Sequence, residues 1–218
     1  MIAPQPFSSI LDARARQSGL PKSDRRRLRL LAATARLLDE DDLELLAPSQ
    51  IAPLAGLGGN DFTSCFADQG EAAAALLEAF VNHLFDRLED AAHGERELRA
   101  SIHATTLAYA REFSLNPGLF RCLVQIPAHN EHFRALYRRF NVNWNHRTAA
   151  AIARHRRGVD VAEPDELRTA YALGAMVDEF LASLYLRRDP VLRGLVQTPE
   201  DAATLLSDLW NQVVFGDG

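Results

Sequence analysis

Residues 47–70 read APSQIAPLAGLGGNDFTSCFADQG, and this stretch decides the fold. Pro48 stands where a first-turn proline is tolerated, so Ser49 to Ala55 make a helix of barely two turns, ended by Gly56. Gly58, Gly59 and Asn60 form a turn by composition, after which a second short helix runs to about Phe66. Two very short helices joined by a glycine-bearing turn are the way a helix-turn-helix offers its second helix to a DNA major groove.

Working outward, the pattern stays helical. Upstream, Leu28, Leu31, Ala32, Ala35 and Leu38 recur at steps of three and four and make one apolar stripe. Ser23 is the expected N-cap of that helix, and the acids from Asp39 to Asp42 close it. Residues 1–21 read as an arm: Pro4 and Pro6 leave the first seven residues loose, and Ser8 or Ser9 caps a short helix through Gln17. Downstream, residues 71–91 carry Leu76, Phe80, Leu84 and Leu88 four apart as a buried ridge. Residues 95–113 make the next helix, residues 116–118 read as a turn, and a short helix runs from Leu119 to Ile126 before Pro127. Residues 129–157 form a long helix stopped by Gly158. Pro164 opens another, and Thr198 and Pro199 start the last as N-cap and first-turn proline. Without a β-hairpin signal, the expected fold is all-α with nine or ten helices. It consists of an N-terminal three-helix helix-turn-helix domain over residues 22–70 and a larger helical effector-binding and dimerisation domain over residues 71–218.

The apolar frame resembles the N-terminal signature of the TetR family of transcriptional regulators. The resemblance runs through Leu30, Ala33 and Leu37, then Ile51, Ala52, Ala55, Gly56 and Leu57, then Phe62 and Phe66, and ends on Leu76 and Phe80. It implies a homodimer paired through its last two long helices, residues 164–188 and 198–215, that binds operator double-stranded DNA and takes a small effector between the helices of its larger domain. Repression is the mode it implies. The polar contact positions of the family differ here: Ala47 stands at the cap of the second helix, Thr63 and Cys65 at the phosphate-contacting aromatic positions, and Gln69 in place of the lysine that opens the connecting helix.

Charge refines the DNA-binding expectation. The net charge of −5 hides a strong segregation. Residues 14–36 hold eight basic side chains and one acid, whereas residues 39–80 hold nine acids and no Lys or Arg. Phosphate attraction is therefore expected from Lys22, Arg25, Arg26 and Arg27, with Ser49 and Gln50 at the start of the next helix. Base reading falls to the neutral or acidic Asn60, Asp61, Thr63 and Ser64, with Gln69 beside them, because amide, hydroxyl and carboxylate groups can all pair with base edges. The same absence of cations raises the alternative of an effector-binding or protein-interaction dimer that has lost operator binding. Residues 121–157 carry eight arginines and one acid, which reads as an exposed basic helix face turned to the acids of a partner helix in preference to a second nucleic-acid surface.

Other classes find little support. Cys65 and Cys122 are too few for a disulfide scaffold, the N-terminus lacks the basic and apolar regions of a signal peptide, and no run is apolar enough to span a bilayer, so a cytoplasmic protein with no membrane partner is expected. His129 and His132 lack a third ligand, and no nucleophile elbow, phosphate loop or metalloprotease motif occurs. No enzyme activity, metal or cofactor is expected. The candidate effector pocket is lined by His103, Tyr109, Phe113, Phe120, Asn141, Trp144, Asn145, Met176 and Phe180, a mostly apolar set with a few polar groups.

Overall fold

A computed structural model describes residues 4–40, 46–125 and 131–216, and no strand occurs among them. Asp41, Asp42, Ile126, Pro127 and His129 lie outside the described residues, as do the side chains of His132 and Tyr137. The all-α expectation holds. In chain order the helices are α1 (Phe7–Ala15), α2 (Lys22–Glu40), α3 (Pro48–Leu54), α4 (Gly59–Thr63), α5 (Gln69–His93), α6 (Leu98–Leu115), α7 (Pro117–Gln125), α8 (Glu131–Arg157), α9 (Pro164–Leu181), α10 (Pro190–Leu195) and α11 (Pro199–Phe215). No described helix is long and apolar enough to cross a membrane. They form two compact units, one within Met1–His83 and Leu115–Phe133, the other within Leu84–Ser114 and Arg134–Gly218.

The N-terminal unit is built on α2. Its stripe of Leu30, Leu31, Ala35 and Leu38 is buried, as are Ile51, Phe62 and Phe66 from the two short helices and Leu76 and Phe80 from α5. Helix α1 belongs to this core, and the expected looseness of Phe7 is corrected. Phe7 is fully buried with its ring 5.4 Å from that of Phe80, and its N–H donates to Asn116 Oδ1 at 2.7 Å. Leu11 and Ala15 follow at i+4 and i+8 and are buried with it. Because the core draws Phe7 inward, the helix starts after Pro6, and Ser8 is a buried residue of its first turn, not its cap.

Three further boundaries differ from expectation. Helix α2 begins at Lys22, and the Ser23 hydroxyl points to Asp24 instead of capping. Residues 116–118 open α7 instead of forming a free turn. Pro117 takes the first helical position, and Gly118 lies so close to α2 that a Cβ there would sit 2.2 Å from the Leu38 carbonyl oxygen. The Gly118 N–H donates to Asp39 Oδ1 at 3.0 Å. Gly59 and Asn60 are already helical, and α4 ends at Thr63.

In the C-terminal unit, alanines at 110, 149, 153, 202 and 203 are buried, as are Leu173, Val177, Leu181, Leu206 and Trp210, and small residues of this kind allow helices to pack closely. The basic face of α8 meets acids and carbonyls as expected. Arg147 pairs with Glu89, Arg154 with Asp160 at 2.5 Å, and Arg157 with Glu163 and Glu166, both at 2.9 Å. Arg156 donates to the carbonyls of Val213 and Val214 near the end of α11. Helix α9 leaves α-geometry at Ala182–Leu186, inside the 164–188 span expected for one helix, through a π-turn, and Asp189 then caps α10, a short helix that lies beyond that span and was not expected. Helix α11 starts as read: Thr198 Oγ1 accepts from the Asp201 N–H at 3.1 Å, and the Asp201 carboxylate accepts from the Thr198 N–H at 3.0 Å.

Candidate nucleic-acid interface

Helices α3 and α4 make the expected helix-turn-helix, and the turn between them depends on one glycine. Gly56 has φ +63°, a conformation costly for other residues, and a Cβ there would lie 2.6 Å from Nη2 of Arg29. The Leu57 N–H then returns to the Ala52 carbonyl at 2.9 Å, closing the first short helix. At the far end of α3, Gln50 Oε1 accepts from the Ala47 N–H at 2.9 Å, the half of a capping box that does not need a polar side chain at Ala47. Ser49 and Gln50 remain exposed at this end.

The arginines of α2 do two kinds of work. Lys22 and Arg25 are exposed at its first turns, with Arg25 Nη2 donating to the Leu20 carbonyl at 3.3 Å. Arg26 instead reaches α4 and pairs with Asp61 at 3.3 Å. Arg27 donates to the Cys65 carbonyl at 3.2 Å, and its guanidinium stands 4.4 Å from the centre of the Phe66 ring. Arg29 reaches the Gly56 carbonyl at 3.5 Å. Much of the basic run thus clamps the two short helices onto α2. The sequence carried no signal for this, since each contact joins residues 27 to 38 positions apart.

On α4, both Asp61 oxygens are engaged, Oδ1 by Arg26 and Oδ2 by the Gly58 N–H at 3.0 Å. The Thr63 and Ser64 hydroxyls donate back to the carbonyls of Asn60 at 3.3 Å and Asp61 at 2.8 Å. Asn60, Thr63 and Ser64 are exposed, and Gln69 is half-buried at the start of α5. Asn60 therefore presents its amide outward, and the two hydroxyls keep their oxygens as acceptors.

The proposed effector-lining residues fall into groups. Tyr109 donates to Asp178 Oδ1 at 2.8 Å and meets Phe113 edge-on at 5.1 Å, which joins α6 to the α9 segment that also carries Met176 and Phe180. Burial pushes the Asp178 carboxyl above its ordinary value, although the Tyr109 hydroxyl opposes this. Burial, with Glu200 and Asp201 adding to it, pushes the nearby-in-sequence Tyr185 phenol up to about 12. His103 Nδ1 lies 3.0 Å from Ser207 Oγ, and that hydroxyl donates to the Thr204 carbonyl. Trp144 packs near Phe85 at 6.1 Å, and Asn145 donates to the Asn141 carbonyl at 2.9 Å. Phe120 belongs to the N-terminal unit, where it meets Phe80 edge-on at 5.3 Å.

No protein-family model matches the sequence, and no curated protein matches it. Solved structures do. A candidate transcriptional regulator from Pseudomonas aeruginosa PAO1 superposes with TM-score 0.71 at 14% identity, covering 92% of this chain and 95% of that one. The fatty acid degradation regulator FadR from Bacillus halodurans gives 0.66 at 10% identity over 88% and 96%. A candidate TetR-family transcriptional regulator from Syntrophomonas wolfei gives 0.64 at 15% identity over 90% and 98%. These likenesses span nearly the whole of each chain, so the fold is that of the TetR-family transcriptional regulators.

Proposed function

We propose that this chain is a DNA-binding transcriptional regulator that acts in the cytoplasm as a homodimer under the control of a small, mostly apolar effector. The carrying observation is the helix-turn-helix geometry: α3 and α4 turn about Gly56 and are clamped onto α2, with Asn60, Thr63 and Ser64 left exposed on and just after α4. In this reading residues 22–70 meet operator DNA and residues 71–218 hold the effector and the partner subunit. Lys22 and Arg25 supply the phosphate attraction, together with the exposed N-terminus of α3. Two such units must stand about 34 Å apart to enter successive major grooves.

Support for dimerisation comes from α11, where Leu205, Leu209 and Val213 recur at i, i+4 and i+8 and are each more than a third exposed. An effector bound among the half-buried Tyr109, Trp144 and Phe180 favours one dimer spacing and lowers DNA affinity by its preference between the two states. An apolar effector is in keeping with the Bacillus halodurans neighbour, a regulator of fatty acid degradation.

One observation favours the alternative, a dimer on this fold that no longer binds operators: Arg26, Arg27 and Arg29 are engaged by partners within the domain and none of α4 is basic. A mobility-shift assay with DNA flanking the protein's own gene, across a salt series, separates the two. Sequence-specific binding that weakens steeply with salt supports the operator reading. Absence of binding even at low salt overturns it.

A further inference from the structure

The N-terminal unit contains a cleft of about 670 Å³ between the end of α1, the outer face of α2 and the turn after α3. Four arginines line it, Arg16, Arg25, Arg29 and Arg36, and the acid among its lining residues is Asp12. The apolar part of the wall is small, chiefly Ala15, Pro53 and Leu54. The sequence gives no sign of the cleft, because it exists only once Phe7, Leu11 and Ala15 bury α1 in the unit's core.

We propose that this cleft is a binding site for a small polyanion of the phosphate type. Four like charges gathered in one concavity repel each other, and the single carboxylate is already paired with Arg36. Each of the others is held by one edge or stands at the rim: Arg25 by the Leu20 carbonyl, Arg29 by the Gly56 carbonyl, and Arg16 exposed at the C-terminal end of α1. A guanidinium carries five donors in a planar fork, so these anchors fix its orientation and leave further donors for an anion. Phosphate oxygens match that fork, and a di- or triphosphate brings enough charge to answer several guanidinium groups at once. A concave space of this size suits a compact ligand better than the flat track of a DNA backbone.

Isothermal titration with inorganic pyrophosphate, at ionic strength held constant with sodium chloride so that screening does not change, tests the site. The expected result is saturable binding of one pyrophosphate per chain. In the Arg16→Gln/Arg25→Gln variant the Kd rises at least about tenfold, since two charge-assisted contacts are lost. Circular dichroism and the thermal midpoint check that the variant folds, and Arg16→Gln alone, at an exposed helix end, serves if it does not. Absence of saturable binding up to about 10 mM, weaker than any affinity worth about 3 kcal/mol, overturns the proposal. Binding unchanged in a folded variant overturns it too.

Discussion

Arg26 of α2 and Asp61 of α4 are ion-paired at 3.3 Å, with both side chains about one-third exposed. Asp61 simultaneously accepts from the Gly58 N–H, so one carboxylate closes the start of α4 and ties that helix to α2. A helix of five residues cannot hold itself together by its own hydrogen bonds, and side chains from the neighbouring helix supply the missing order. A double-mutant cycle with Arg26→Gln and Asp61→Asn, read from urea midpoints, should give a coupling of about 0.2–1 kcal/mol, the range for a solvent-screened pair.

The same pair makes a prediction about DNA. Asp61→Asn removes a negative charge from the helix proposed to face DNA and releases the Arg26 guanidinium. DNA affinity at low salt should rise, with a steeper dependence on salt, whereas Arg25→Gln should lower both. A mobility-shift series at several salt concentrations reads the two slopes, and an Asp61→Asn protein that binds more weakly would show that the carboxylate itself contacts a base.

Gly118 offers a test of packing in the N-terminal unit. Its missing Cβ would fall 2.2 Å from the Leu38 carbonyl oxygen and 2.6 Å from the Asp39 nitrogen, both backbone atoms that cannot swing aside. Gly118→Ala should therefore lower stability by about 1–3 kcal/mol or more, measured by thermal or urea unfolding. Gly194, with nothing within 4 Å of its Cβ position, is the matched control and should tolerate alanine.

Acid should loosen the C-terminal unit in a defined window. Hydrogen bonds from Arg157, and the Glu163 N–H after burial is set against them, hold the Glu166 carboxyl below its ordinary value of 4.5. Such a group stabilises the fold fully above its unfolded pKa and loses that contribution as pH falls through the lower folded value. Unfolding midpoints should fall between pH 5 and the acid limb in the native protein. In Glu166→Gln that part of the pH dependence should be absent, and an identical profile in the two proteins would remove Glu166 from the explanation.

The exposed stripe on α11 predicts a change of assembly. Leu205→Glu together with Leu209→Glu places two charges where the dimer reading puts an apolar contact, at positions 42% and 37% exposed in the single chain. Sedimentation should find a monomer with unchanged helicity, because neither residue fills the core of its own chain. A dimer that persists would move the interface elsewhere.

What the sequence determined by itself is local. Helical content, the apolar stripe of α2, the glycine turn at Gly56 and the Thr198 start of α11 follow from periodicity, backbone freedom and capping, all of which act within a few residues. The frame positions of the helix-turn-helix were legible through their resemblance to the TetR-family signature. Tertiary structure alone decided where the charges go. Arg25, Arg26 and Arg27 are adjacent in sequence and look alike. On a helix, successive residues stand about 100° apart, so one turns to Leu20, one to Asp61 and one to Cys65 and Phe66. Which arginine faces solvent and which clamps the domain depends on what α4 and the chain after it bring opposite, and that is set by the burial of Phe62 and Phe66 far along the chain. The docking of α1 through Phe7, and with it the arginine cleft, was hidden for the same physical reason: contacts between residues distant in sequence leave no pattern in either segment alone.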